Sequence, residues 1–144
     1  MTKKIVLISC VSKKHDKTCM AKDLYVSALF KKSWAYANKL NPDKIYILSA
    51  KHYLLEPTDL IGPYNVTLNK FSAAERKAWA HEVLKEMKEA GLDLKEDQFT
   101  ILAGKNYYKY IVGKDGIRQY TLPLKGLNGI GYILKYLNEQ ISKL

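Results

Sequence analysis

The feature that most constrains this chain is the apolar run Ile5-Val6-Leu7-Ile8-Ser9-Cys10, which stops abruptly in the doubly basic turn Val11-Ser12-Lys13-Lys14. A run this short, rich in Ile and Val and without polar alternation, reads as a strand covered on both faces, the usual state of parallel strands in α/β domains. Lys44 to Ala50 and Phe99 to Gly104 repeat the pattern, each ending on small residues. Ligands of open parallel sheets bind beyond the carboxyl ends of the strands. Residues Ser9 to Lys14 therefore stand where a ligand is expected.

The segments between these runs carry helical spacing. From about Lys22 to Leu40, Val26, Phe30, Ala37 and Leu40 form an inner stripe flanked by Tyr25, Leu29, Trp34 and Tyr36, and Asn41-Pro42-Asp43 ends the helix. Strand, helix, strand in this order implies a right-handed crossover and parallel pairing. Lys51 to Asn65 holds two prolines and neither period, and reads as an ordered loop folded over the mouth of the sheet. Ser72-Ala73-Ala74-Glu75 is a capping box opening a helix to about Ala90, with Trp79, Val83, Met87 and Ala90 inward and Gly91 as its stop. A short helix over Asn106 to Val112, a turn at Gly113 to Gly116, an edge strand over Arg118 to Pro123 and a last helix with Ile130, Leu134, Leu137, Ile141 and Leu144 inward complete the chain. The expected fold is one domain over residues 1–144, an α/β three-layer sandwich of about four mostly parallel strands with helices on both faces.

A chain of 144 residues can bury a full core without disulfides or a structural metal. No apolar run approaches the roughly 18 residues that span a bilayer, and the run after Met1-Thr2-Lys3-Lys4 is too short for a signal-peptide core, so a cytoplasmic protein without membrane contact is expected. The formal charge is +10, from 24 Lys and Arg against 14 Asp and Glu, which attracts polyanions and nucleic acid above all. Arg76 and Arg118 are the only arginines, so the attraction is loose rather than bidentate. Cys10 and Cys19 are expected as free thiols. With His15 and His52 they make a conceivable metal set, but one lacking the paired spacing of structural zinc sites, and no metal or other cofactor is expected.

If the strands are parallel, four turns converge on one edge. The first brings Ser9, Cys10, Ser12, Lys13 and Lys14; the second Ser49, Lys51 and His52; the third Gly104 and Tyr107; the fourth Lys125 and Gly126. Lysines suit phosphate, and tyrosine faces suit a base. Cys10 reads either as a small buried hydrophobe or as a thiol activated by Lys13, Lys14 and a following helix N-terminus. His52 is placed to act as acid or base, or is simply exposed. Tyr64, after Gly62-Pro63, either stacks on a base or packs its loop onto the sheet. No Ser-His-Asp spacing, strand-end acidic pair or phosphate-loop fingerprint is present.

Ile8-Ser9-Cys10-Val11-Ser12-Lys13-Lys14, Ala21-x-Asp23-Leu24-Tyr25-x-Ser27-x-Leu29-Phe30, Leu48-Ser49-Ala50-Lys51-His52-Tyr53-Leu54-Leu55-x-Pro57, Pro63-Tyr64, Leu102-Ala103-Gly104-x-x-Tyr107 and Pro123-Leu124-x-Gly126-Leu127 together resemble an uncharacterised bacterial and phage family, domain of unknown function 6884. A more distant similarity is to the core domain of archaeosine synthase, a tRNA-modifying enzyme. Cys10 and Lys14 keep its cysteine-to-lysine spacing, and Tyr25 and Ser27 resemble the later part of its signature, whereas Phe30 stands in place of a histidine and the proline is absent. That resemblance implies a fold like the uracil-DNA glycosylases and a site for a nucleobase or modified nucleotide, with Cys10 and Lys14 as active-site groups. No acidic residue directly follows the first strand, so it does not imply base excision. The resulting expectation is an enzyme acting on a nucleobase, nucleotide or nucleic acid; the alternative is a non-catalytic module binding the same ligands.

Overall fold

The computed structural model describes residues 2–10, 14 and 16–143. In chain order it contains β1 (Lys4–Ser9), β2 (Cys19–Met20), α1 (Ala21–Leu24), α2 (Ala28–Lys39), β3 (Lys44–Ser49), β4 (Tyr53–Leu55), β5 (Leu60–Ile61), α3 (Ala73–Glu89), β6 (Gln98–Leu102), α4 (Lys105–Tyr108), β7 (Gln119–Thr121) and α5 (Ile130–Lys143). One sheet has the order β4-β3-β1-β6-β7, and within it β3, β1, β6 and β7 are mutually parallel. Central β1 is the apolar run that opened the sequence, and Ile5, Val6, Leu7 and Ile8 are all buried. In register, Ile8 stands between Ile47 and Leu102.

The crossover from β1 through α2 reaches β3 on one side, and the crossover from β3 through α3 reaches β6 on the other. Right-handed connections running in opposite directions leave α2 and α3 on opposite faces of the sheet. α5 packs against α2. The three-layer α/β arrangement is therefore as expected, while the strand count is not. The sheet has five strands, because β4 folds back antiparallel on β3 inside the segment read as loop.

That segment also supplies β5, which pairs with β2 in a two-stranded ribbon. Its clamp is extended by backbone bonds from Ala21 N–H to the Asp59 carbonyl (2.7 Å) and from Lys22 N–H to the Pro57 carbonyl (3.0 Å). Strands of two or three residues show no period, which is why the sequence read as loop.

The helix expected over 22–40 is two helices. Tyr25 is extended, with φ −87° and ψ 112°, and Ser27 is the N-cap of α2, its hydroxyl accepting from the Phe30 N–H at 3.2 Å. The break turns the inner face: Leu24 and Tyr25 are buried and Val26 is only half-buried. In α3 the capping box is present, the Ser72 hydroxyl accepting from Glu75 N–H (3.1 Å) and the Glu75 carboxylate from Ser72 N–H (2.8 Å). Trp79, Val83 and Met87 point inward as expected, but Ala80 is buried and Ala90 exposed. In α5 Leu137 is buried, whereas Ile130 is 55% exposed. Leu144 lies outside the described residues.

The outer edge of β4 is covered electrostatically. Leu54 N–H points at the Glu86 carboxylate of α3, 3.4 Å away. Burial, with Glu82 one turn earlier, pushes the Glu86 carboxyl up to about 7. A folded-state pKa raised above the ordinary 4.5 contributes stability that is full below that value and is lost as the pH rises through about 7. Glu86→Gln, which mimics the protonated form, is expected to raise Tm by about 1 °C at pH 8 and to leave it unchanged in acid, since a like-charge pair one helical turn apart costs about 0.3–0.5 kcal/mol. Melting curves across that pH range check it; a gain of the same size at every pH would contradict this account.

Candidate functional site

β1 delivers Cys10 one residue beyond its end. The Cys10 N–H donates to the Leu48 carbonyl at 2.9 Å, so the ladder with β3 continues past Ser9 and fixes where the thiol points. Its Sγ lies 3.3 Å from the phenol oxygen of Tyr107, which α4 presents immediately after β6. The Tyr107 ring is held edge-on against Trp79, with centroids 5.7 Å apart. Burial, with the neighbouring Cys10, holds this phenol well above the ordinary tyrosine range. The phenol therefore stays neutral at physiological pH.

Beside the thiol, the Lys14 ammonium sits over the Tyr64 ring, 4.4 Å from its centroid and 5.8 Å from that of Tyr25. The backbone of Lys14 bridges antiparallel to Tyr25. Under the lysine runs a buried network. The Tyr64 hydroxyl is 2.6 Å from the Tyr25 hydroxyl and 2.8 Å from Ser49 Oγ. Ser49 Oγ also accepts from His52 N–H (3.0 Å), and the Ser49 carbonyl accepts from the Trp79 indole (2.9 Å). Ser49, fully buried at the end of β3, thus ties both faces of the sheet to one residue.

The electrostatics follow from burial. It pushes the Tyr25 phenol up to about 12 and raises that of Tyr64. Burial lowers Lys14 from the ordinary lysine value, with the charge of a Cys10 thiolate opposing. Burial and the neighbouring Lys51 hold the His52 imidazole below its usual value, so at neutral pH it is uncharged. A cation seated on an aromatic face beside a thiol, with neutral phenols around it, can hold an anion or offer an amine to an electrophile.

Cys10, Lys14 and Tyr107 form one wall of a cavity of about 440 Å³. Asn65, Thr67 and Asn69 line another, and Leu29, Ile130 and Leu134 form an apolar side. The sequence pattern of the family of unknown function DUF6884 matches residues 5–139. The chain belongs to that family. The uncharacterised protein YfjM of Bacillus subtilis (strain 168) is 34% identical over 126 residues, covering 85% of this chain and 81% of its own length. No solved structure matches the chain.

Of the residues singled out in this DUF6884 sequence, Cys10, Lys14, Ser49, His52, Tyr64 and Tyr107 come together. They do so in two tiers. Cys10, Lys14 and Tyr107 line the cavity; Ser49, Tyr64 and His52 stand behind the lysine, the His52 ring edge-on to Tyr64 with centroids 5.2 Å apart. Ser9, Gly104, Lys125 and Gly126 line a neighbouring crevice instead. Lys51 is exposed and lines neither. Ser12, Lys13 and His15 lie outside the described residues, so the set Cys10, His15, Cys19 and His52 is described only in part; among the described residues no three His, Cys, Asp or Glu side chains are grouped so that they could hold a metal ion.

The composition and spacing did not mark for the site Tyr25, which only the resemblance touched, nor Trp79 or the polar lining residues Asn65, Thr67 and Asn69. Asn65 and Thr67 stand at alternate positions of an extended stretch, and Asn69 follows in the single helical turn Leu68–Lys70 that Thr67 caps, its hydroxyl accepting from Asn69 N–H at 3.2 Å. Tyr25 was hidden by the unbroken helix drawn through it.

Proposed function

We propose that this DUF6884 chain is an enzyme acting on a nucleobase, nucleotide or nucleic acid in the cytoplasm, with Lys14 as amine nucleophile or phosphate clamp and Cys10 as the thiol working beside it. The observation that supports this most is the seat of Lys14. Its ammonium rests on the Tyr64 face, next to a buried thiol, at the wall of a cavity of ordinary ligand size. Asn65 and Asn69 on the same cavity offer paired donors and acceptors, which suit a base edge. His52 acts through Tyr64, holding the ring on which the lysine sits. The spacing of Cys10 and Lys14, which resembles that of archaeosine synthase, is the sequence feature this reading starts from. A non-catalytic module binding the same ligands is the second reading, favoured by the net charge of +10.

Two variants separate them. Titration calorimetry at low salt with nucleosides, nucleotides and short oligonucleotides is paired with mass spectrometry of the same ligands after incubation. Cys10→Ser is expected to keep binding within about threefold and to lose turnover, and Lys14→Ala to weaken binding about tenfold, the loss of one charge-assisted contact. Binding without any change in ligand mass supports the module. Flat titrations against all three ligand classes would remove both readings.

A further inference from the structure

The cavity at Cys10 has a neighbour that the proposed chemistry does not use. A second crevice of about 340 Å³ opens above the carboxyl ends of β1 and β6, lined by Ser9 and Leu102, the last residues of the two strands, and by Ala103 and Gly104 just beyond β6. Consecutive residues serve the two spaces. Ser9 lines the crevice and Cys10 the cavity; Tyr108 lines the crevice and Tyr107 the cavity. Leu29 of α2 lines both, and the first turns of α5 overhang both, Ile130 and Leu134 on one side and Ile133 on the other. The two spaces are neighbouring chambers that share Leu29 in their linings.

Topology singles out the second chamber. The chain leaves β1 toward β3 and leaves β6 toward β7, in opposite directions across the sheet. Ligands of open parallel sheets settle in the crevice at such a point of reversal, whereas the residues with the most reactive chemistry stand in the chamber beside it. A ligand that reaches Cys10 and Lys14 and also occupies the point of reversal must span both.

The linings define its chemistry. Among the described residues no carboxylate lines either chamber, while Lys14 serves the first and Lys105 and Lys125 the second. The floor of the second chamber is apolar, from Phe30, Leu102 and Leu124, with the hydroxyls of Ser9 and buried Ser33 among it. An apolar floor with hydroxyls suits the carbon face of a ribose, and two lysines without an acidic neighbour in the lining suit a phosphate.

We infer that the second chamber binds the sugar-phosphate of a nucleotide whose base lies in the chamber of Cys10 and Lys14, so that the ligand is phosphorylated rather than a free base or nucleoside. This rests on the proposed action on nucleobases or nucleotides and adds the part of the ligand recognised by Lys105 and Lys125. The phosphate belongs either to a free mononucleotide or to a nucleotide within a strand.

Calorimetry tests it with four probes: nucleosides, their 5′-monophosphates, single-stranded oligonucleotides and inorganic phosphate. They are titrated into the full chain and into a Lys105→Ala, Lys125→Ala double variant, whose sites are both exposed and whose melting point is expected to stay within about 1 °C. The expected result is monophosphate binding at least tenfold tighter than nucleoside binding, an advantage that disappears in the double variant while nucleoside affinity stays within twofold. Mononucleotides binding as well as oligonucleotides make the ligand a free nucleotide; much tighter oligonucleotide binding places it in a strand. Nucleosides that bind with no gain from phosphate overturn this inference and leave the proposed function standing. Inorganic phosphate that binds the full chain but not the double variant, with no nucleoside binding, keeps the anion subsite and removes the nucleobase reading. Binding by none of the probes removes both.

Discussion

Replacing Asp97 by alanine is expected to lower Tm by about 10 °C near neutral pH, the equivalent of about 3 kcal/mol for a chain of this size. Asp97 is 1% exposed and is the carboxylate that joins the start of β1 to the turn before β6. One oxygen accepts from the backbone N–H of Lys3 at 2.8 Å. The other accepts from Asp93 N–H at 2.8 Å and lies 3.4 Å from the Lys3 ammonium. Burial alone would raise this carboxyl, yet the two amides and the Lys3 charge outweigh it and hold the pKa below the ordinary carboxylate value. A depressed folded-state pKa contributes stability that is present above the unfolded value of 3.8 and is lost as the pH falls through the lower one. The difference between Asp97→Ala and the parent chain should therefore shrink in acid. Asp97→Asn, which keeps one acceptor oxygen, should fall between them at neutral pH. Thermal melts from pH 7 down to pH 2 decide the matter, and a gap that stays constant over that range would falsify the electrostatic account.

Asp97 also marks a limit of what the sequence discloses. The buried strands were legible because Ile5 to Ile8, Ile45 to Leu48 and Phe99 to Leu102 carry their burial in their own composition, and parallel pairing followed from the crossovers. The turns that end those strands were legible as a place for a site, and five of their residues meet there, joined by Tyr64 from the loop that folds over them. What was not legible depends on partners distant in sequence. Asp97 looks like any surface aspartate until Lys3, 94 positions away, is folded against it. The linings of the two chambers depend on α2 and α5 lying together at the strand ends, since Leu29, Ile130, Ile133 and Leu134 come from those helices. The break at Tyr25 did have a local signal in Ser27, a good N-cap residue, but Leu24 and Leu29 on either side of it hid the interruption.

Gly116 is the second position where one atom is expected to matter most. A Cβ built there runs into the carbonyl oxygen of Ile111 and comes within 3.0 Å of that residue's carbonyl carbon, both backbone atoms with no flexible end to yield. The same carbonyl accepts the Ile117 N–H at 2.8 Å, so moving it aside breaks a bond between two fully buried residues. Gly116→Ala is expected to cost about 3 kcal/mol, or roughly 10 °C in Tm, from overpacking and the displaced backbone together. The effect should reach the site. Ile111 and Val112 donate their N–H groups to the Tyr108 carbonyl at 3.1 and 3.2 Å, and this carbonyl belongs to the short helix that holds Tyr107 against Cys10. Two other glycines serve as controls. Gly104→Ala meets nothing within 4 Å at an ordinary φ of −77° and should melt within about 1 °C of the parent. Gly113→Ala also meets nothing, but at φ +123° it should cost about 1–2 kcal/mol from conformation alone. An ordering in which Gly116→Ala is no worse than Gly113→Ala would show that the Ile111 carbonyl can move freely, and with it the support beneath Tyr107.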